Sequence, residues 1–311
     1  MIISALKERK DNEKRVAIVP DVAKKLVNDG HRVLIESGAG ERSFFSDKAY
    51  LESGAEILTL DDIVSNTDIL LVVDLPSDEI LSKMKDNSNI VGLLNPYDKG
   101  DSFESFEKKS ISAFSMELIP RITRAQSMDV LSSQANLSGY RAVINATSLY
   151  SKSMAMMMTA AGTVAPAKVF IMGVGVAGLQ AIATAKRLGA VVSATDVRRA
   201  AAEQCESLGA SFIMVEDEDD AEDESGYAKE MSEEYKEKQR QLIADHVRQQ
   251  DIIICSALIP GKQAPILLDD DAVKSMKPGS IIIDMAIERG GNCTLSQAGE
   301  IIDIEGVSIV G

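Results

Sequence analysis

A glycine-rich turn is the first place in this chain where residue types and spacing point to chemistry. An apolar run ends in Gly173-Val-Gly175-Val176-Ala-Gly178, and a helical pattern follows it. In this spacing the first glycine permits a tight strand-to-helix turn, the second lets backbone approach a pyrophosphate, and the third lets the helix pack on the strand. The helix N-terminus adds free N–H groups and a partial positive charge. The turn predicts a dinucleotide site, although glycine pairs also mark ordinary turns.

An acidic residue supports the same interpretation. The next apolar run, Ala190–Thr195, leads directly into Asp196, at about the 20-residue spacing where a carboxylate binds the adenosine ribose. Because a carboxylate accepts hydrogen bonds from a 2′-hydroxyl and repels a 2′-phosphate, Asp196 favours NAD over NADP. Two alternatives stay open for Arg198 and Arg199: they accommodate that phosphate, or they cap the next helix and lie in solvent.

The surrounding pattern predicts an α/β protein with two doubly wound, parallel-sheet (Rossmann-like) lobes joined by long helices. Short apolar runs alternate with amphipathic helical patterns, and 311 residues exceed the usual size of one domain. We expect a first lobe over residues 1–125, linking helices over 126–162 and an NAD-binding lobe over 163–311. The predicted strands are Ile2–Leu6, Arg32–Ile35, Ile69–Val73, Ile90–Leu94 and Ile111–Ala113 in the first lobe, and Val169–Met172, Val191–Ala194, Ser211–Met214, Ile252–Cys255, Ile281–Asp284 and Val307–Val310 in the second.

The segment between the two predicted lobes has a helical pattern. It contains no proline between Gln126 and Ala161, and its apolar residues recur at helical spacing. It ends in the cluster Met154-Ala-Met-Met-Met158. We interpret this cluster as buried helical packing, because thioether side chains fill irregular cores.

A long polar insertion interrupts the second lobe. It holds the acidic run Glu216–Glu224, then Gly226-Tyr227, then a charged helix. Such a run is usually a solvated loop. A long loop in a cofactor-binding lobe can also be a mobile lid, with Gly226 and Tyr227 as its contact point.

Composition limits the classes of partner and compartment. The formal net charge of −15 argues against nucleic acid as a partner. The three cysteines, Cys205, Cys255 and Cys293, are far apart, so we expect reduced packing residues and neither disulfides nor a metal site. No apolar stretch reaches the ~18 residues of a membrane span, and the N-terminus lacks a signal-peptide pattern. We therefore expect a soluble chain.

The inventory of catalytic side chains is short. Oxidation of an alcohol or amine normally needs a positioned His, Lys or Tyr to take a proton. The two histidines, His31 and His246, both lie far from the glycine turn in sequence. Hydride transfer between two nicotinamides releases no substrate proton in the transfer step and needs only two rings held face to face in a dry site. The sequence thus favours NAD binding over acid–base chemistry on a small substrate.

Longer motifs carry a resemblance that covers nearly all the chain. They are Arg121–Asp129, Met156–Gly162, Gly173–Gly189, Gly226–Met231, Ala257–Lys262 and Gly290–Cys293. On these motifs the chain resembles the NAD(H)-binding component (domain I, alpha subunit) of proton-translocating NAD(P) transhydrogenase. The resemblance implies an enzyme of the Si-specific (Re-face) type that is catalytic only with its partner subunits. It would pass hydride from NADH to NADP+ bound on a partner domain.

The resemblance also assigns site residues. Arg121, Gln126, Asp129 and Ser132 would orient the nicotinamide carboxamide and ribose, since amide, carboxylate and guanidinium groups together fix which ring face is presented. An interlobe salt bridge is the alternative for Arg121 and Asp129. The remaining positions that would line the NAD site are Ser127, Met128, Val176, Asp196, Val197, Arg198, Gly226 and Leu258, with Tyr227 as the mobile-loop residue that closes over NAD.

The same resemblance implies partners and a location. The expected partners are NADP-binding and membrane-spanning transhydrogenase subunits together with a second copy of the chain. The chain would be cytoplasmic and peripheral to the inner membrane through those subunits. Family members continue past the last strand to return to the first lobe, whereas this sequence stops at Gly311, so we expect either a fragment or an incomplete reading frame.

Alanine dehydrogenase is the nearest competitor, and it is similar over both lobes. Its substrate-carboxylate arginine would match Arg15. Where that family places its substrate lysine this chain reads Leu71-Val-Val-Asp74, and where it places its catalytic histidine it reads Leu94-Asn-Pro-Tyr97. These departures favour the transhydrogenase. A non-catalytic NAD-binding protein remains a further alternative.

Overall fold

A computed structural model describes residues 1–97, 104–215, 233–259 and 261–311. The chain divides into two compact units, Met1–Leu131 and Ser132–Gly311. Each is built around a mainly parallel sheet flanked by helices, so the predicted α/β fold class is confirmed. No helix in these described ranges is long and apolar enough to cross a membrane.

The first unit contains a six-stranded parallel sheet in the order β3-β2-β1-β4-β5-β6. Strands are added towards one edge of the sheet from β1 to β3 and towards the other edge from β4 to β6. This order is that of a doubly wound Rossmann fold. The strands are β1 (Ile2–Ala5), β2 (Arg32–Glu36), β3 (Glu56–Leu58), β4 (Ile69–Asp74), β5 (Asn89–Leu93) and β6 (Ser112–Ser115), and the helices are α1 (Pro20–Asn28), α2 (Asp47–Glu52), α3 (Leu60–Val64), α4 (Asp78–Lys83) and α5 (Glu104–Lys108).

The second unit contains a seven-stranded sheet in the order β11-β10-β9-β12-β13-β15-β14. Its pairs are parallel except β14 with β15. Its strands are β9 (Lys168–Met172), β10 (Val191–Thr195), β11 (Ser211–Phe212), β12 (Ile252–Cys255), β13 (Ile281–Asp284), β14 (Ile301–Ile304) and β15 (Val307–Val310), and its helices are α6 (Val130–Leu149, beginning just before the unit), α7 (Val176–Arg187), α8 (Ala201–Ser207), α9 (Glu233–Val247) and α10 (Asp270–Lys274).

The central strands of this sheet are buried on both faces, which is why they appear in the sequence as continuous apolar runs. Along β9, Val169 and Ile171 belong to one core cluster, and Phe170 and Met172 to the cluster on the opposite face. All three cysteines are buried free thiols within these clusters, as expected from their spacing.

The helical prediction for the methionine cluster is wrong. Residues 126–149 lie in a 3-10 helix (Thr123–Met128) and then α6, but the chain next forms a two-stranded hairpin, β7 (Met157–Thr159) with β8 (Gly162–Val164). Met154 is buried, whereas Met156, Met157 and Met158 are 56%, 52% and 73% exposed. Met157 and Met158 are consecutive residues of a strand and point to opposite faces, so one core cannot cover both of them.

Helix α9 is joined to the sheet by a half-buried imidazole. His246 Nε2 lies 2.8 Å from Ser193 Oγ on β10, and its ring packs edge-on against Phe170 of β9. Burial lowers the pKa of His246 from its ordinary value of 6.5, and the nearby charge of Lys168 lowers it further. The folded protein therefore prefers a neutral ring at this position.

This preference predicts a pH dependence of stability. The unfolded chain binds the His246 proton near pH 6.5 and the folded chain only at lower pH. The contribution is therefore complete above pH 6.5 and is lost as pH falls through the window below it. We expect thermal melts between about pH 8 and pH 5.5 to show a midpoint that falls by roughly 2–4 °C more in the wild type than in His246→Gln. Parallel curves for the two proteins would contradict the assignment.

Candidate functional site

The glycine turn lies where β9 ends and α7 begins. Gly173 adopts a φ of +101°, which favours glycine, and its N–H donates to the carbonyl of Thr195 at the end of β10. Gly175 is the N-cap of α7, and no side chain caps the helix there. No N-cap side chain therefore accepts from the first-turn N–H groups of α7. Uncapped N–H groups at a helix N-terminus suit an anion.

The space around the three glycines differs, and the differences match three separate roles. A Cβ on Gly178 would lie 1.9 Å from the carbonyl oxygen of Gly173, and one on Gly173 would lie 2.9 Å from the nitrogen of Ala257. A Cβ on Gly175 would meet nothing within 4 Å. Two glycines are therefore required by the packing of the protein, and the third leaves open space beside a helix N-terminus. That cradle fits a pyrophosphate group.

Asp196 lies at the end of β10, beside this turn. Its Oδ2 accepts from the N–H of Val174 at 2.7 Å, and its Oδ1 accepts from the N–H of Arg198 at 2.9 Å. The Arg198 guanidinium donates to both carboxylate oxygens, through Nε at 2.9 Å and Nη2 at 3.0 Å. Nη2 also donates to the Val174 carbonyl at 3.1 Å.

Two consequences follow from this pairing. The Arg198 guanidinium is bonded to Asp196 and to the Val174 carbonyl of the turn, so it neither caps the next helix nor lies in solvent. Val197, between the two paired residues, is half-buried. A ribose hydroxyl that binds Asp196 must share or replace bonds that Arg198 makes, because these four donated bonds already occupy about the full acceptor capacity of a carboxylate.

The loop after β12 covers the other side of the turn. Ser256 Oγ donates to the Gly173 carbonyl at 3.0 Å, and Ala257 is the residue that a Gly173 side chain would strike. Leu258 follows and is 47% exposed. Ser256 was not singled out in the sequence, because a serine after an apolar strand has no distinctive spacing.

Helix α6 packs on the first turn of α7 through a second close backbone approach. A Cβ on Gly139 would lie 2.0 Å from the carbonyl oxygen of Ala177, and Asn136 Nδ2 donates to Gln180 Oε1 at 3.1 Å. Ser132 lies in the first turn of α6 and is half-buried. Gly139 was missed in the sequence, since an isolated glycine in a helical pattern has many explanations.

Most of the predicted nicotinamide-orienting residues belong to the first unit. Arg121 and the 3-10 helix residues Gln126, Ser127 and Met128 are exposed, and Asp129 is half-buried. Ala125 is the buried residue of this 3-10 helix. The segment therefore presents three consecutive side chains outwards. Val176 is the first residue of α7 and is half-buried. Gly226 and Tyr227 lie outside the described residues, as does the acidic run Glu216–Glu224.

The first unit pairs cationic side chains with carboxylates near the end of β4. Asp74 contacts Lys10 Nζ at 2.9 Å. Arg15 donates through Nε and Nη2 to the two carboxylate oxygens of Glu13 at 2.8 and 2.6 Å. Glu8 accepts from the Val73 N–H at 2.7 Å, and burial raises the pKa of Glu8. Lys10 and Arg15 are thus each paired with a carboxylate.

Comparison with known proteins places the chain in a family. The family description "Alanine dehydrogenase/PNT, N-terminal domain" matches residues 4–138, and "Alanine dehydrogenase/PNT, C-terminal domain" matches residues 142–311. The chain belongs to the alanine dehydrogenase/PNT family.

Within this family, the chain is more similar in sequence to transhydrogenase subunits than to the alanine dehydrogenases compared. The alpha subunit (first part) of NAD(P) transhydrogenase from Rhodospirillum rubrum is 50% identical over 320 residues, which cover 100% of this chain and 83% of that protein. The crystal structure of transhydrogenase from Sinorhizobium meliloti matches with a TM-score of 0.91 at 48% identity, covering 100% of this chain and 85% of that one. Alanine dehydrogenase of Bacillus subtilis is 29% identical over 294 residues, covering 94% of this chain and 72% of that protein. The resemblance identified from the motifs is thereby confirmed.

The glycine geometry predicts effects of different size for two similar substitutions. Gly178→Ala forces its methyl group into the Gly173 carbonyl, so we expect a loss of about 1–3 kcal/mol in the free energy of unfolding. Gly175→Ala meets open space at a negative φ of −82°, so we expect a change of about 1 kcal/mol or less. Urea unfolding of the two variants measures both values. Equal losses would show that the close approach at Gly178 does not constrain the fold.

Proposed function

We propose that this chain is the NAD(H)-binding component of proton-translocating NAD(P) transhydrogenase. It binds NADH and transfers hydride directly to NADP+ held on a partner domain, and membrane-spanning partner subunits couple this transfer to proton translocation. The observation that carries the proposal is the glycine cradle at Gly173–Gly178 beside Asp196. It occurs in a chain half identical to the alpha subunit of a transhydrogenase.

In this proposal the second unit holds the dinucleotide. The open space at Gly175 receives the pyrophosphate, and the N–H groups of α7 donate to its oxygens. Asp196 accepts from the adenosine ribose, with Val176, Val197 and Leu258 lining the site. The resemblance adds Gly226 and Tyr227, which lie outside the described residues.

The proposed preference for NAD over NADP rests on Asp196. Its carboxylate lies at the end of β10, where a 2′-phosphate would meet like charge. The Arg198 guanidinium already donates to both oxygens of Asp196. Arg198 could pair with a 2′-phosphate only by giving up these bonds to Asp196. NADP(H) is therefore assigned to the partner component.

The orienting role in this proposal belongs to the residues that the resemblance assigns to it. Gln126 has an NH2 donor and a carbonyl acceptor, Asp129 is an acceptor and Arg121 is a donor. Together they match the NH2 and carbonyl groups of a carboxamide. The resemblance adds Ser127, Met128 and Ser132 to this set. The nicotinamide supplies the hydride when it is bound, and these side chains fix which face of the ring it presents.

The histidines are not needed for this reaction. Hydride passes between two nicotinamides without a general base. His246 is bonded to Ser193 and packed on Phe170, and this arrangement uses the ring to hold α9 on the sheet. The proposed catalysis is thus positioning of two cofactors, which explains why the partner component is required.

A hydride-transfer assay tests the proposed function. The chain is mixed with the NADP-binding component of a transhydrogenase, and transfer from NADH to an NADP analogue is followed by stopped-flow absorbance. We expect transfer with the wild type and a fall of about 100-fold in Gln126→Ala, because a misoriented ring loses the near-attack geometry. NADH affinity, measured by fluorescence titration, changes by only about threefold in that variant if most affinity comes from the other contacts.

Gly175→Ala is the matched control, since the fold tolerates its methyl group while the cradle does not. It should lose both NADH binding and transfer. Wild-type NADH binding without transfer would favour a non-catalytic NAD-binding protein. Reduction of NAD with L-alanine would contradict the proposal in favour of alanine dehydrogenase.

We also propose that the subunit is a homodimer and that the β7–β8 hairpin contributes to its interface. A two-stranded hairpin is marginally stable alone in water, and this one exposes Met157, Met158 and Val164 by 52%, 73% and 49%. A second copy of the chain would cover these side chains. The proposed location is cytoplasmic, at the inner membrane through the partner subunits.

Sedimentation velocity tests the hairpin interface. We expect the wild type to sediment as a dimer and Met157→Ser/Met158→Ser to dissociate at least about tenfold more readily, because two buried methionines are replaced by polar groups. Leu51→Ser is the control, since Leu51 is similarly exposed (56%) but lies on α2 in the first unit. A wild-type monomer, or equal dimer affinity in all three proteins, would exclude this interface.

A further inference from the structure

The motif Gly290-Gly-Asn292-Cys293 has no role in the function proposed so far. It follows β13 and the 3-10 helix Ile287–Arg289. Gly290 and Gly291 adopt φ values of +97° and +82°. A Cβ on Gly291 would also lie 2.8 Å from Asp284 Oδ2. The two glycines are therefore required for the chain to turn tightly around the carboxylate of Asp284.

Asp284 is a buried carboxylate at the end of β13, and it holds this turn. It is 2% exposed. Its Oδ2 accepts from the N–H groups of Asn292 at 2.9 Å and Cys293 at 3.0 Å and from Ser296 Oγ at 2.8 Å. Oδ1 accepts from the Ala286 N–H at 3.0 Å. A buried carboxylate that accepts several hydrogen bonds fixes its donors in space. Losing any of these bonds would leave a buried charge without a partner for one of its oxygens, which is energetically unfavourable. Asn292 is consequently held at a defined position.

The side chain of Asn292 reaches from this turn to the loop after β12. Asn292 is completely buried. Its Oδ1 accepts from the Ala257 N–H at 3.1 Å, and its Nδ2 donates to the Ala257 carbonyl at 2.9 Å and to the Pro265 carbonyl at 2.7 Å. The carboxamide thus bonds both backbone groups of Ala257, as a neighbouring strand would. This pairing fixes the orientation of both peptides that flank Ala257.

Ala257 in turn contacts the glycine turn. Its nitrogen would lie 2.9 Å from a Cβ on Gly173, and the preceding residue, Ser256, donates through Oγ to the Gly173 carbonyl. A series of contacts therefore runs from Asp284 through Asn292 and Ala257 to Gly173. Leu258, the next residue, takes its direction from the peptide that Asn292 fixes.

We propose that Asn292 is a positioning residue for the dinucleotide site: its carboxamide clamps Ala257, so that Leu258 and the glycine turn keep the spacing that the cofactor requires. Asp284 holds Asn292 in place for this task. The inference rests on the proposed function, since Leu258 acts here as part of an NADH site. Asn292 itself lies behind the Ala257 backbone and acts through it.

A double-mutant cycle separates positioning from general stability. We measure the Kd for NADH by fluorescence titration in the full chain, for Leu258→Ala, Asn292→Ala and the double variant. We expect Asn292→Ala to raise Kd about tenfold, and Leu258→Ala to raise it about fivefold in the wild type but less than about twofold beside Asn292→Ala, because residues in one network are not additive. A merely structural Asn292 gives independent, multiplicative effects, and that result would overturn the proposal.

A second readout needs no cofactor. Because the Ala257 N–H donates to Asn292 Oδ1, we expect its hydrogen exchange in the cofactor-free protein to accelerate at least about tenfold in Asn292→Ala, measured against the global stability from urea unfolding. Asn292→Asp keeps the size of the side chain but faces two carbonyls with a carboxylate, so it should behave similarly. If neither variant folds, Asn292 is needed for the unit as a whole and the positioning role is rejected.

Thr294→Val is the matched control. Thr294 lies in the same loop, but its hydroxyl donates to Asp270 Oδ1 at 2.7 Å and makes no bond to Ala257, so we expect the NADH Kd and Ala257 exchange to stay unchanged. The two proposals fail in different ways. Absence of NADH binding by the wild type rejects the proposed function. NADH binding that is equally tight in the wild type and in Asn292→Ala rejects only the positioning role.

Discussion

The close approach of Gly178 to the carbonyl of Gly173 is the contact on which the rest of the second unit depends. It brings α7 against the end of β9 at a distance that no side chain permits. Gly173 is crowded from its other side by Ala257, and α7 is crowded from outside by Gly139 of α6. Three helix or loop segments therefore meet at backbone contact distance around one turn. Such packing leaves little freedom for adjustment, since interiors at this density transmit small displacements.

The sequence was informative about the fold wherever burial was complete. β12 and β13 were predicted with their observed bounds, because strands covered on both faces are continuous apolar runs. β15 was also predicted with its observed bounds, although Ser308 interrupts its apolar run and its burial alternates. β3 was missed, since its three residues Glu56–Leu58 are too few to form a pattern. β14 was missed although a two-residue turn with positive φ at Glu305 and Gly306 joins it to β15. That turn geometry usually shows as Asn-Gly or Asp-Gly, and here a glutamate adopts it.

Some features of the candidate site could be predicted from local sequence, and others depend on contacts that the sequence pattern does not show. The three glycines and Asp196 follow from spacing along the chain, because a strand, turn and helix are local. The pairing of Arg198 with Asp196, and the clamp made by Asn292 on Ala257, depend on side-chain directions and, for the clamp, on residues 35 positions apart. The exposure of the methionine hairpin could not be predicted from the sequence pattern either. Apolar composition indicates that side chains are buried, but it does not indicate which surface buries them. Contacts of this kind arise from tertiary structure and leave no period in the sequence.

The internal pairing of Arg198 has a consequence for how an anionic ligand meets this protein. The Arg198 guanidinium beside the turn is already paired with Asp196. A phosphate at the cradle is therefore attracted by the helix amides, which act over a few ångströms. The chain as a whole carries a formal charge of −15, and its long-range field repels an incoming phosphate. Added salt screens that field within about 10 Å at 0.1 M. Raising the ionic strength should therefore speed the encounter while leaving the residence time nearly constant, which is the reverse of ligand capture by a basic patch.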